Sequence, residues 1–72
     1  MDKPEPTEIR VEMEKGAHRA VAVLYKYADN AFTIHAVERR GLPSLSDDDN
    51  TYSEVSKAVE AAKKIWYGTL LA

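Results

Sequence analysis

The sequence predicts an α+β fold: a three-stranded antiparallel β-meander, order 1-2-3, with one C-terminal α-helix packed on one face (β-β-β-α). Three observations predict it. Apolar and polar residues alternate through three stretches of the first half of the chain. Short turn signals, Lys15-Gly16-Ala17 and Asp29-Asn30, separate those stretches. After a polar loop, apolar residues then recur at three- and four-residue steps from Val55 onward.

Residues 1–6 hold two prolines and several charges with nothing to bury, and are expected to form a flexible lead-in to a single domain over 7–72. In the first strand Ile9, Val11 and Met13 share one face, and Glu8, Arg10, Glu12 and Glu14 the other. Gly16 supplies the positive φ that the following turn requires. The stretch from His18 to Tyr27 also fits helical spacing through Ala17, Val21, Leu24 and Ala28, which would give β-α-β-α. Its valines and tyrosines favour a strand instead. Asp29-Asn30 reads as a two-residue hairpin loop, and Ala31 to Arg40 alternates again through Phe32, Ile34 and Ala36. Gly41 to Asn50 reads as a polar loop containing Asp47-Asp48-Asp49.

Thr51-Tyr52-Ser53-Glu54 has the form of a capping box, in which Thr51 and Glu54 satisfy each other's backbone amides at a helix start. Behind it Val55, Ala58, Val59, Ala62, Ile65, Trp66 and Leu70 form one apolar stripe, with Trp66 as the core anchor. Gly68 is expected to end the helix.

These turns imply a register. An Asp29-Asn30 loop sets Tyr27 opposite Phe32, Tyr25 opposite Ile34, Val23 opposite Ala36 and Val21 opposite Glu38. An odd loop of Lys15-Gly16-Ala17 sets Val11 opposite Val21 and His18 opposite Glu14, whereas an even loop would turn the first strand over. The sheet face away from the helix would then carry an apolar centre of Ala22, Leu24 and Val37, rimmed by Arg10, His35 and Arg39. An apolar centre inside a polar rim is the composition of an interface.

The 72 residues hold ten Lys and Arg against twelve Asp and Glu, a net charge of −2, which opposes general binding to nucleic acid or membrane surfaces. The absence of cysteine removes disulfides, thiol chemistry and Cys-ligated metals. The start is polar where a secretory signal would be apolar, and the longest apolar run, Ala20 to Tyr25, is too short to span a bilayer, so a cytoplasmic location without membrane contact is expected. A chain this short, without staples, gains from self-association.

No catalytic motif gathers the Ser, Thr, His and Asp residues present, so no enzyme, catalytic residue or cofactor is expected. His18 and His35 lack the spacing of a metal pair and read as surface groups. Asp47 and Asp49 have the spacing of two calcium ligands, but Tyr52 stands where the loop needs glycine and Ala58 where it needs glutamate, so no metal site is expected. The order β-β-β-α ending in an alanine-rich helix (Ala58, Ala61, Ala62) resembles the later part of the double-stranded RNA-binding domain. That family places phosphate-clamping lysines at the start of its last helix, whereas this chain has Asp47-Asp48-Asp49.

The function expected is therefore a non-enzymatic protein-interaction module. It would act as a homodimer or as a small accessory or inhibitory protein that occludes a larger partner through its open sheet face, using Arg10, Ala22, Leu24, His35, Val37 and Arg39. The alternatives are a nucleic-acid binder using a local patch of Arg10, Lys26, Arg39 and Arg40, or a purely structural role.

Overall fold

A five-stranded antiparallel sheet with one helix across it makes up the described part of the chain, residues 5–45 and 50–70 of a computed structural model. The lead-in residues 1–4, the acidic run Asp47-Asp48-Asp49 and the terminal Leu71-Ala72 lie outside the described residues. The elements are β1 (Thr7–Lys15), β2 (His18–Ala28), β3 (Ala31–Arg39), β4 (Leu42–Leu45), β5 (Thr51–Tyr52) and α1 (Val55–Leu70). The meander and C-terminal helix are as the sequence predicts. The expected polar loop, however, contributes two further short strands. β4 pairs with the Val37–Arg39 end of β3 and β5 with its Phe32–Thr33 end, so the two share one edge of β3.

The first hairpin turns on Gly16-Ala17 alone, because Lys15 remains in β1 and pairs with His18. Gly16 has φ 62°, the left-handed value that favours glycine. A two-residue loop is even, so β1 is turned over relative to the expected register: Ile9 pairs with Leu24, Val11 with Ala22 and Met13 with Ala20. Those six residues lie on the helix side. This corrects the assignment of Ala22, Leu24 and Val37 to the open face. All three are fully buried, packed in the core with Ile34, Ala58, Ala62 and Trp66.

Two compensating irregularities set the register of β2 against β3. Ala28 pairs with Ala31 but Lys26 with Phe32, which leaves Tyr27 as an extra residue on β2, 58% exposed. Leu24 then pairs with Ile34 but Val23 with Ala36, which leaves His35 as an extra residue on β3. The expected pairs Val23–Ala36 and Val21–Glu38 are present, whereas Tyr25 faces Thr33 rather than Ile34. The extra residue at His35 lets Phe32, Ile34 and Val37 all reach the helix side, although strict alternation would put Val37 opposite to Ile34.

Helix α1 starts at Val55, and the Glu54 carbonyl accepts its first bond from the Ala58 amide at 3.2 Å. Thr51 is committed to the β5 pairing with Thr33, so the capping box is absent. Gly68 lies within the helix, which continues to Leu70, and Thr69 Oγ1 donates to the Trp66 carbonyl at 2.7 Å. Ala58, Ala62 and Trp66 are the buried stripe of α1. The small alanines let the helix approach the sheet, and Trp66 fills the space beyond them, only 1% exposed. Among the described residues no helix is long and apolar enough to cross a membrane.

Candidate functional site

The helix covers one face of the sheet and leaves the other open. On the open face β1 contributes Glu8, Arg10, Glu12 and Glu14, and β2 contributes Arg19, Val21, Val23 and Tyr25. From β3 come Thr33, Ala36 and Glu38, the direct partners of Tyr25, Val23 and Val21. His35 joins them as the extra residue, its ring stacked on Tyr25 with centroids 4.4 Å apart. Of the expected contact residues, Arg10 and His35 are thus on the open face. Arg39 is not: it pairs with Ala20 on the helix side and donates to the Pro43 carbonyl at 2.7 and 3.2 Å.

Val23 is the centre of the open face. It is 3% exposed yet lies outside the core cluster beneath the helix. Its cross-strand neighbours are Arg10 and Ala36, and its neighbours along β2 on the same face are Val21 and Tyr25. Arg10 extends across β2 to Glu38, with Nη1 and Nη2 at 3.0 and 2.8 Å from Oε1. Its Nε also lies 3.7 Å from Glu8 Oε2. The long side chain thereby covers apolar surface with its stem while its charge stays in water. The ion pair is half exposed and in itself contributes little stability.

The sequence carries a signal for this face. Ala20 to Tyr25 is an uninterrupted apolar run, and a strand apolar on both faces is the pattern of one covered on both faces.

Compared with protein-family models, curated proteins and solved structures, the chain matched none.

The residues of the expected nucleic-acid patch are dispersed. Arg10 is held by Glu38, and Lys26 lies near Asp29, at 3.5 Å, on the helix side of β2. Arg39 and Arg40 instead join His18 and Arg19 around a depression of about 480 Å³ at the far end of the sheet, beside Trp66 and Leu70. Among the described residues no group of three or more acidic or histidine side chains is placed to hold a metal. A second open groove, about 520 Å³, runs along α1 between Tyr52 and Lys64, lined by Ser56, Lys57 and Glu60.

Proposed function

We propose that this protein is a non-enzymatic interaction module that binds a protein partner, a second copy of itself or a larger protein, through the open face of its sheet. The observation that carries the reading is the apolar character of β2 on both sides: Ala20, Ala22 and Leu24 face the helix, while Val21, Val23 and Tyr25 lie on the other face, over which no strand or helix of the described residues packs and where side chains such as Arg10 cover Val23. Antiparallel sheets that present a face to water ordinarily alternate to polar residues there. A central apolar row flanked by Arg10, Glu38, Glu8 and His35 has the composition of a contact surface, with the flanking charges orienting the partner.

A photo-crosslinking residue at Tyr25, compared with one at Lys64 on the outer side of α1, tests this in the native cell, followed by titration of the purified captured protein. The reading expects capture from position 25 alone and a loss of affinity of at least about tenfold on Tyr25→Glu, as for a central contact residue. Equal capture from both positions, or unchanged affinity for Tyr25→Glu, would overturn it.

A second reading, nucleic-acid binding, draws on the gathering of Arg19, Arg39, Arg40 and His18 at one end of the sheet. It expects a mobility shift that weakens steeply with salt and with Arg40→Glu. The three arginines surround the C-terminal end of α1, where cations are favoured without any ligand, so this reading takes second place.

A further inference from the structure

We infer that the partner seated on the open face is a second copy of this chain, related by a two-fold axis that runs parallel to β2 between the two stacked sheets. The inference rests on the open-face reading above and adds the identity and orientation of the occupant.

The argument is one of charge and symmetry. β2 lies between β1 and β3, with Arg10 opposite Val23 on one flank and Glu38 on the other flank, two residue pairs along, opposite Val21. A two-fold axis along β2 lays β2 of one copy on β2 of the other, and lays β1 of each over β3 of the other. Val21 and Tyr25 then meet their own counterparts, while each Arg10, whose stem crosses β2 beside the buried Val23, stands over the β3 that carries the facing Glu38. The offset along the strand is the one Arg10 already spans within its own copy. Two sheets packed face to face lie about 10 Å apart, a gap that a facing arginine and glutamate bridge.

The other in-plane axis, perpendicular to the strands, sets the acidic β1 with Glu8, Glu12 and Glu14 against its own copy, which like-charge repulsion disfavours. In the favoured arrangement Glu12 comes level with the facing Glu38, because both pair with Val21. Arg10 is thus the group that neutralises two opposed carboxylates, and the dimer depends on it. Because Glu12 and Glu38 oppose each other across the interface, association is expected in the micromolar range.

Sedimentation equilibrium of the full chain from about 10 μM to 1 mM tests the inference, with folding of each variant read by circular dichroism. The wild type is expected to approach twice its monomer mass. Arg10→Glu and Glu38→Arg, each alone, are expected to raise the dissociation constant at least about tenfold. An equimolar mixture of these two variants is expected to regain the wild-type association, because each opposes its like-charged flanks to the other's opposite charge. The double variant regains it as well. Arg10→Gln supplies a loss without charge reversal should Arg10→Glu fail to fold.

Recovery in the double variant without recovery in the mixture would show that the pair acts only within one copy, and would overturn the inference. A wild type that remains monomeric throughout would overturn it too. That second result is distinct from failure of the open-face reading, which is decided by crosslinking from position 25.

Discussion

His35 stacks on Tyr25, ring centroids 4.4 Å apart and planes 17° from parallel, because His35 is the one residue of β3 between the pairs Val23–Ala36 and Leu24–Ile34. The same extra residue puts Ile34 and Val37 on one side of the sheet, where both are fully buried. A local irregularity therefore joins the core to the open face.

Deletion of His35 is expected to leave a folded protein. Phe32, Thr33, Ile34, Ala36 and Val37 would then alternate without interruption, keeping the buried and open sides they already have. The loss would be the ring stack, about 1 kcal/mol. Deletion of Thr33 instead turns Ile34 away from the helix and is expected to abolish the cooperative melt; an equally stable protein would show that the bulge does not set the register.

Leu24 and Val21 separate the two faces. Leu24→Ala removes a fully buried side chain and is expected to cost about 2–5 kcal/mol, and Leu24→Glu to unfold the domain. Val21→Glu, on the half-buried open face, is expected to leave the monomer folded. Chemical denaturation of both variants measures this, and comparable losses would contradict the assignment of faces.

Trp66→Ala is expected to cost about 3–5 kcal/mol, enough to unfold a small domain, since the indole fills the core between α1 and the sheet. Native Trp fluorescence should be that of a buried indole. A water-like emission maximum would contradict it.

Alanine at Gly68, Gly41 and Thr51 is expected to change stability with different signs. Gly68→Ala is expected to stabilise by roughly 0.5–1 kcal/mol, because the residue lies inside α1 with open space around its Cα. Gly41→Ala is expected to destabilise by about 1 kcal/mol, because its φ is 73°. Thr51→Ala, at an exposed edge pair rather than a capping box, is expected to change stability by less than about 0.5 kcal/mol. Thermal melts of the three variants check these signs.

Alternation and turn residues made the meander legible, and the three- and four-residue spacing made the helix and Trp66 legible. What they could not carry was parity. Whether Lys15 belongs to the strand or to the loop is a one-residue question, and its answer turns β1 over relative to β2: Ile9, Val11 and Met13 keep the helix side expected of them, while β2 presents Ala20, Ala22 and Leu24 to the helix instead of Val21, Val23 and Tyr25. A bulge leaves no sequence mark of its own, and the alternation does not set Tyr27 or His35 apart as an extra residue. Thr51 illustrates the competition between local and tertiary preferences: its capping pattern is sound, but a free edge of β3 takes it as a strand partner. Of the residues expected on the open face Arg10 and His35 lie there, but the apolar residues beside them are Val21, Val23 and Tyr25, while Ala22, Leu24 and Val37 belong to the core.

Self-association through the helix-free face is read residue by residue in methyl NMR of the labelled full chain over a dilution series. The account predicts that the Val21, Val23 and Ala36 methyl signals move with concentration, while those of Val55 and Ile65 on α1 stay fixed. Signals that do not move at any concentration, or that move on α1 and not on β2, would contradict it.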